Sequence, residues 1–376
     1  MSRGRVVSRT LTGGAVALLL ATGCSSTPSS GPPSAPPSSP PPASTAPSTT
    51  SPAAPVRVAG TLTEGLKSPW GLAELPGGDL LVSSRDERTV TRVDGRTGRR
   101  TPAGEVPGVV PGGEGGLLGL AVRDGWVYAY LTAGTDNRIV RMRYGGGEGD
   151  RLGAPEPVLT GLPKGFIHNG GRIAFGPDGM LYAGTGETGR TGLAQDKGSL
   201  GGKILRMTPE GRPAPGNPFP GSLVYSYGHR NVQGLAWDAD GRLWASEFGQ
   251  DTWDELNLIR PGRNYGWPVV EGIAGRAGYT DPVAQWPTSE ASPSGIAYAR
   301  GAIWMAGLRG ERLWRVPLSG AERSGEPVAF LKGEYGRLRT VQATAGGTRL
   351  WLVTSETDTR GTPGPGDDRI LRLELG

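Results

Sequence analysis

Cysteine and histidine are scarce in this sequence, which has one cysteine and two histidines among its 376 residues. With a single cysteine, Cys24, the folded part of the chain has no disulfide available, and no cysteine/histidine spacing typical of a zinc site occurs. The sequence also has no Gly-x-Ser-x-Gly elbow and no Gly-x-Gly-x-x-Gly loop leading from a strand into a helix. These absences argue against an α/β-hydrolase nucleophile and against a nicotinamide cofactor.

Basic runs and long helical patterns are missing as well. The formal net charge is +5, and three of these charges are arginines among the first nine residues, so the rest of the chain carries only +2. No cluster of lysine or arginine follows, and we expect no nucleic-acid partner. Glycine (65 residues) and proline (34 residues) occur throughout, a composition that favours short strands joined by turns.

The N-terminal 24 residues have the pattern of a lipoprotein signal peptide. Arg3, Arg5 and Arg9 precede the apolar segment GGAVALLLATG, which is too short to span a bilayer, and Cys24 follows small residues. We expect lipidation of Cys24, an extracytoplasmic location on the outer face of the cytoplasmic membrane, and membrane contact through this anchor only. A plain secretory signal with an incidental cysteine is the alternative.

Residues 25–55 form a segment of serine, proline, threonine and alanine without charge or large apolar side chains. Such a segment cannot bury enough surface to offset the entropy lost on ordering. We therefore predict a disordered tether between the signal peptide and a folded domain that spans residues 56–376.

The folded part contains six copies of one strand–turn–strand pattern, in which a triplet similar to Gly-Leu-Ala opens the first strand. Successive copies start 45 to 62 residues apart. The copies are GLAELPGGDLLVSS from Gly71, GLAVRDGWVYAYLT from Gly119, RIAFGPDGMLYAGTGE from Arg172, GLAWDADGRLWASEFG from Gly234, GIAYARGAIWMAGLR from Gly295 and TVQATAGGTRLWLVTSE from Thr340.

Repeats of this length that consist of strands predict an all-β fold, a six-bladed β-propeller of four-stranded antiparallel blades. Each copy has Asp-Gly, Gly-Gly or Arg-Gly turn residues between two β-prone runs, which is typical of a hairpin. A pair of β-sandwiches is the alternative architecture, but it gives no reason for six similar hairpins.

Hairpin geometry predicts which polar residues share one rim of the ring. The start of the first strand lies beside the end of the second strand in an antiparallel pair. His168 precedes the third hairpin and Glu187 ends it, so the two should meet. By the same rule the rim also receives residues of the other blades, namely Glu114, Arg230, Asn231, Gln233, Arg309, Arg337, Arg339 and the acidic segment 247–255.

These residue types suggest a base and an anion site. A carboxylate beside an imidazole can fix its tautomer and raise its basicity, as a general base requires, so His168 and Glu187 are candidates. Several converging arginines favour a ligand with carboxylates or phosphates. A packed or surface histidine, a surface glutamate and arginines paired with local acids remain the alternatives. We interpret His229, the second histidine, as structural.

Three long motifs carry a resemblance to a known family. HNGGRIAFGPDGMLYAGTGE, YSYGHRNVQGLAWDADGRLWASEFGQDTWDELNLI and GRNYGWP resemble the soluble glucose/sorbosone dehydrogenases, also called PQQ-dependent aldose sugar dehydrogenases. The resemblance covers essentially everything after the tether. It implies a six-bladed propeller that binds pyrroloquinoline quinone (PQQ), a planar tricarboxylate, together with Ca²⁺. It also implies a sugar substrate and an external electron acceptor.

The resemblance also implies roles for individual residues. His168 matches the base that removes the proton from the anomeric hydroxyl, while hydride passes to the quinone and a lactone forms. Glu187 stands where the family usually has the aspartate that supports this base. Arg230 matches the arginine that steadies charge on the cofactor. Cofactor contacts are implied for Glu114, Asn231, Arg309, Arg337 and Arg339, and the backbone carbonyls of Gly249 and Gln250 are implied to hold calcium.

Three positions depart from the family pattern. Glu114 stands where some members have a neutral glutamine, and a carboxylate there faces the cofactor unless a cation or a proton intervenes. Glu187 is one methylene longer than aspartate, and Val232 replaces a common proline.

Two other functions compete with a sugar dehydrogenase. One is a non-catalytic propeller at the cell surface that binds a glycan or a protein, because a fold alone does not select a function. The other is a calcium-dependent lactonase, which needs a metal ringed by carboxylates and amides at the channel centre.

Overall fold

The computed structural model describes residues 56–145, 147 and 149–376. The predicted signal peptide, Cys24 and the tether 25–55 lie outside the described residues. Within the described residues no helix has the length and apolar character needed to cross a membrane.

Six antiparallel sheets form the blades of a propeller, as the repeats predict. The first strand of the chain, β1 (Val56–Thr63), belongs to the last blade. Blade 1 contains β2 (Pro69–Glu74), β3 (Leu80–Ser84), β4 (Thr89–Val93) and β5 (Arg100–Glu105). Blade 2 contains β6 (Leu117–Arg123), β7 (Trp126–Thr132), β8 (Asn137–Arg143) and β9 (Glu156–Leu162). Blade 3 contains β10 (Ile173–Phe175), β11 (Leu181–Gly184), β12 (Lys203–Met207) and β13 (Val224–Tyr227).

The second half of the chain continues the pattern. Blade 4 contains β14 (Val232–Trp237), β15 (Leu243–Glu247), β16 (Trp253–Ile259) and β17 (Ala284–Pro287). Blade 5 contains β18 (Pro293–Ala299), β19 (Ala302–Gly307) and β20 (Arg312–Ser319), and two short strands, β21 (Glu322–Arg323) and β22 (Val328–Phe330), both pair with β20 in place of one fourth strand. Blade 6 contains β23 (Leu338–Ala343), β24 (Arg349–Thr354) and β25 (Ile370–Leu375). A 3₁₀ turn, Thr191–Ala194, lies between β11 and β12.

The N-terminal strand closes the ring. β1 pairs antiparallel with β25, from Val56 opposite Leu375 to Thr63 opposite Ile370, so both ends of the folded chain share blade 6. Val56 and Val58 pack on the cluster between blades 5 and 6, and Leu62 belongs to the cluster between blades 6 and 1. The first strand therefore contributes to two of the interfaces that hold the ring together.

The hydrophobic core lies between neighbouring blades. Six clusters of buried side chains correspond to the six contacts around the ring, each with residues from two consecutive blades. For example, Leu81 and Val90 of blade 1 pack with Leu117 and Val127 of blade 2. This arrangement buries both faces of each sheet, which explains why the strands read as nearly continuous apolar runs.

The glycine of the Gly-Leu-Ala triplet permits close contact between blades at the axis. A Cβ on Gly119 would lie 2.3 Å from the carbonyl oxygen of Gly171, and one on Gly234 would lie 2.4 Å from that of Ser294. Real Cβ atoms do not approach a backbone oxygen this closely, so a larger residue would push neighbouring blades apart. The repeated glycine is therefore a packing requirement of the ring.

We expect Gly119→Ala to lower the free energy of unfolding by about 1–3 kcal/mol, the usual cost of overpacking. The measurement is the midpoint of urea unfolding. Gly134→Ala is the matched control, because a Cβ at Gly134 has no neighbour within 4 Å. Equal stability of the two variants would contradict this explanation of the triplet.

Candidate active site

Most of the predicted rim residues line one cavity of about 450 Å³. Its wall includes nine residues that the sequence singled out for a catalytic, cofactor or metal role: Glu114, His168, Arg230, Asn231, Gly249, Gln250, Arg309, Arg337 and Arg339. Gln233 lies there as well. Glu187 is buried behind His168, with 1 % of its side chain exposed.

His168 and Glu187 are in direct contact at the two ends of the third hairpin. His168 Nδ1 is hydrogen-bonded to Glu187 Oε1. An ionised carboxylate only accepts hydrogen bonds, so Nδ1–H donates and the lone pair lies on Nε2. No partner for Nε2 occurs in the described part of the chain. The pair thus has the geometry of an oriented base at the wall of the cavity.

The backbone of His168 is held in a strained conformation. Its φ is 53°, in the left-handed region that residues other than glycine seldom adopt. The His168 N–H donates to Glu114 Oε2 at 2.8 Å, and the carbonyl accepts from the Thr188 N–H at 3.1 Å. These two bonds and the contact with Glu187 fix the position of the ring.

Glu114 is neutralised by a residue that the sequence analysis missed. Glu114 Oε1 accepts from an Arg360 Nη2–H at 2.7 Å, and the Arg360 side chain is 60 % exposed. The expectation that a cation must accompany a carboxylate at this position is thereby met within the chain itself.

Arg337 and Arg339 share one counter-ion, Asp358. Asp358 Oδ2 accepts from Arg339 Nη2 at 2.9 Å and from Arg337 Nη2 at 3.2 Å. Arg339 also donates to Gln233 Oε1 at 3.1 Å, and burial lowers its pKa to about 10. Both arginines therefore have a local acid as a partner, and both guanidinium groups also line the cavity.

The pKa of Asp358 predicts acid-dependent stability. Burial acts to raise it, but the Arg339 and Arg337 charges outweigh burial and hold it at about 2. A carboxyl group whose pKa is lower in the folded chain stabilises the folded state at pH values above its pKa in the unfolded chain, which is 3.8. This contribution is lost as the pH falls towards 2. We expect Asp358→Asn to lower the free energy of unfolding by about 2–3 kcal/mol at pH 7, and the gap to the unsubstituted chain to narrow below pH 4.

Urea unfolding at pH 7 and pH 3 measures this difference. Asp124→Asn is the control, because the Asp124 side chain is 83 % exposed and, among the residues that the structure describes, pairs only with its neighbour Arg123. A deficit of Asp358→Asn that is the same at both pH values would contradict the assignment.

Arg230 and Arg309 have no carboxylate within hydrogen-bonding distance among the described residues. Arg230 donates to the Phe248 carbonyl at 3.3 Å, its buried Nε has no partner in the described part of the chain, and burial lowers its pKa. The exposed Arg309 guanidinium makes neither a hydrogen bond nor an ion pair within the described part of the chain. Donors without partners in a cavity of net positive charge fit a ligand that carries several carboxylates.

A further cation, Arg172, lies at the propeller axis beneath the cavity. Its guanidinium donates to the Gln233 carbonyl at 2.7 Å and to Thr340 Oγ1 at 3.1 Å, and it lies 4.4 Å from the centre of the Trp70 ring. It has no carboxylate partner among the described residues, and burial lowers its pKa to about 9. Trp70 lines the cavity, whereas Arg172 lines a separate space whose walls are the first strands of the six blades.

The segment after β15 contributes Gly249 and Gln250 to the cavity wall. Gly249 N–H donates to Asp254 Oδ1 at 2.9 Å, and Gln250 N–H donates to Glu271 Oε1 at 2.8 Å. The described residues hold no group of three or more acidic, histidine or cysteine side chains suited to a metal. A calcium ion at Gly249 and Gln250 would therefore depend on backbone carbonyls and on oxygens of a ligand.

The rim prediction fails for the two ends of the acidic segment. Glu247 and Glu255 face each other in β15 and β16 and are buried in the sheet rather than exposed at the cavity. The reason is that both lie within strands, where alternate side chains point into the packed faces of the blade. Burial raises the pKa of Glu247 to about 7.

His229 has the surroundings of a structural residue, in keeping with its interpretation. It is fully buried, bonds Ser226 Oγ at 2.8 Å and Glu247 Oε2 at 2.9 Å, and stacks on the Tyr265 ring at 4.7 Å. Burial lowers its pKa to about 3, so the ring stays neutral.

Some cavity residues were missed although the hairpin rule could have found them. Arg85 directly follows β3, and Asp358 and Arg360 follow β24, so each lies past the second strand of its repeat. Trp70 precedes the first triplet and could have been found in the same way. Asp254 also lines the cavity; it belongs to the third strand of its blade and falls within the acidic segment 247–255 that was predicted for the rim.

Comparison with known proteins agrees with this architecture. Residues 66–363 match the family described as glucose/sorbosone dehydrogenase. A solved structure of the PQQ-bound form of an aldose sugar dehydrogenase from Streptomyces coelicolor has 69 % sequence identity and a TM-score of 0.84, and the match covers 86 % of this chain and all of that one.

Two curated relatives are more distant. Quinoprotein glucose dehydrogenase B of Acinetobacter calcoaceticus is 33 % identical over 57 % of this chain and 53 % of its own length. An aldose sugar dehydrogenase of Escherichia coli is 29 % identical over 68 % of this chain and 74 % of its own length. With the family match extending over most of the folded region, this chain belongs to the glucose/sorbosone dehydrogenase family.

Proposed function

We propose that this protein is a PQQ-dependent dehydrogenase that oxidises an aldose at its anomeric carbon to a lactone and passes the electrons to an external acceptor. The observation that carries the proposal is the His168–Glu187 pair at the wall of an arginine-lined cavity. Oxidation of a hydroxyl group with an anionic cofactor needs a base that accepts the proton and positively charged side chains that bind the cofactor. Both are present in this cavity. The relatives named above are sugar dehydrogenases, one of them solved with PQQ.

The residues of the cavity fit this cofactor. PQQ carries three carboxylates, and Arg230, Arg309 and Arg337 offer guanidinium groups with unused donors, two of them with a buried Nε that lacks a partner. Asn231 and Arg339 lie in the same wall. When bound, PQQ with Ca²⁺ supplies the acceptor for the hydride that leaves the anomeric carbon. The backbone carbonyls of Gly249 and Gln250 would hold the calcium.

The chain's own residues perform the proton chemistry. His168 Nε2 accepts the proton of the anomeric hydroxyl while the C–H bond breaks and the C=O bond of the lactone forms. Glu187 keeps the proton of Nδ1 in place and stabilises the imidazolium that results. The Arg230 guanidinium stabilises negative charge that develops in the cavity.

The test is reconstitution of residues 56–376 with PQQ and Ca²⁺. Absorbance titration should show tight PQQ binding, and dye-linked oxidation of aldoses should appear only when both are present. The same assay on cell fractions tests the lipid anchor. Activity should be found in the membrane fraction for the full chain and in the soluble fraction for Cys24→Ala. Lack of PQQ binding, with no activity on a panel of aldoses, would refute the proposal.

The competing functions lose their support in the geometry of the cavity. Glu114, whose charge favoured a non-catalytic propeller, is neutralised by Arg360. A lactonase requires a metal ringed by carboxylates and amides, and the described residues hold no group of three or more acidic, histidine or cysteine side chains suited to a metal.

A further inference from the structure

We propose that Glu114 and Arg360 form a neutral pair with two tasks: Glu114 positions the strained base His168, and Arg360 cancels the charge of Glu114 so that the cavity still accepts an anionic cofactor. The second task rests on the proposed function. Both are positioning residues, since they act through His168 and through the charge of the cavity.

Glu114 is fixed against the segment that carries the base. Its N–H donates to the Phe166 carbonyl at 2.8 Å. A Cβ on the preceding Gly113 would lie 2.1 Å from the same carbonyl oxygen. This close approach places the Glu114 carboxylate beside His168, where Oε2 accepts the His168 N–H at 2.8 Å.

The bond to His168 offsets backbone strain. A φ of 53° at a residue other than glycine persists only when its surroundings over-determine it. A carboxylate accepts an amide hydrogen bond more strongly than a neutral oxygen does. Glu114 therefore holds the base at the wall from a second blade, independently of Glu187.

A carboxylate at this position has an electrostatic cost that Arg360 removes. Glu114 lies in the same cavity wall as Arg230 and Arg339, and its free charge would repel a ligand with several carboxylates. Arg360 Nη2 bonds Glu114 Oε1 at 2.7 Å, and the Arg360 N–H donates to Asp358 Oδ1 at 2.8 Å. Since Asp358 also binds Arg337 and Arg339, a continuous chain of contacts joins the base to the arginine pair.

Affinity for PQQ in the presence of Ca²⁺ tests the charge balance. We expect Arg360→Met to weaken PQQ binding by about tenfold or more, because an unpaired carboxylate then faces the anion. Glu114→Gln should bind PQQ at least as tightly as the unsubstituted chain does, because the Arg360 charge is then unpaired, and the double variant E114Q/R360M should recover most of the affinity lost in Arg360→Met. Arg88→Met is the control, since Arg88 is an exposed arginine paired with Glu105 outside the cavity.

Hydrogen exchange in the cofactor-free protein tests the positioning of His168. Amide exchange in the segment 165–169 should be faster in Glu114→Ala than in the unsubstituted chain and close to normal in Glu114→Gln, because the amide oxygen still accepts the His168 N–H. The kcat for sugar should fall in Glu114→Ala with the KM little changed, and Glu114→Gln should restore it.

Each part can fail separately. Unchanged PQQ affinity of Arg360→Met, or a double variant as weak as the single one, would overturn the charge balance. Equal exchange in Glu114→Ala and Glu114→Gln would overturn the positioning role. If the unsubstituted chain bound no PQQ, the proposed function and the charge balance would fall together, and exchange would still decide the positioning of His168.

Discussion

His168→Asn should lower the kcat for sugar oxidation by about 10²–10⁴-fold, the usual contribution of a positioned general base. Asparagine tolerates a positive φ better than most residues, and its amide can still donate to Glu187. The strained backbone and the buried carboxylate of Glu187 would therefore keep their partners while the proton acceptor Nε2 is lost. The variant therefore tests proton abstraction separately from cofactor binding.

The measurement is dye-linked oxidation with saturating PQQ and Ca²⁺, accompanied by a PQQ titration and a thermal melt of the same variant. PQQ affinity and melting temperature should stay close to those of the unsubstituted chain. A kcat within about threefold of the unsubstituted value, with the fold intact, would exclude His168 as the base, since a general base contributes at least about 10²-fold.

Deletion of residues 1–63 should abolish the folded state, whereas deletion of residues 1–55 should leave it intact. The longer deletion removes all of β1, which leaves the edge of β25 unpaired and takes apolar side chains from two blade interfaces. An open edge strand also invites aggregation. The shorter deletion removes none of the contacts described here and serves as the matched control.

Circular dichroism, thermal melting and limited proteolysis of the two truncated chains measure the outcome. We expect a cooperative melt and a protease-resistant core for residues 56–376, and neither for residues 64–376. A cooperative melt of residues 64–376 at the same temperature as residues 56–376 would show that five complete blades and an incomplete sixth are enough for folding.

The architecture could be predicted from the sequence because each blade repeats the same local signals. The turn glycines and the Gly-Leu-Ala triplets recur in order, and the triplets are explained by the close approach at Gly119 and Gly234. Antiparallel pairing then placed His168 beside Glu187 without further information. The pairing of β1 with β25 joins the two ends of the folded chain, and no local pattern predicted it.

The charge pairing within the cavity could not be predicted. The Glu114–Arg360 contact joins residues 246 positions apart, and it depends on the side-chain geometry of two loops, which the repeat does not specify. The sharing of Asp358 by Arg337 and Arg339 likewise depends on side-chain geometry in a loop. Family resemblance gave Glu114 a cofactor role, whereas in the structure its two oxygens are occupied by protein donors.

The position of Arg172 determines how ligands can reach the cavity. Its contacts with Trp70, Gln233 and Thr340 fill the axis between the cavity and the separate space that Arg172 lines. Under the proposed function the sugar and the oxidant therefore reach the cofactor through the mouth of the cavity and not along the axis.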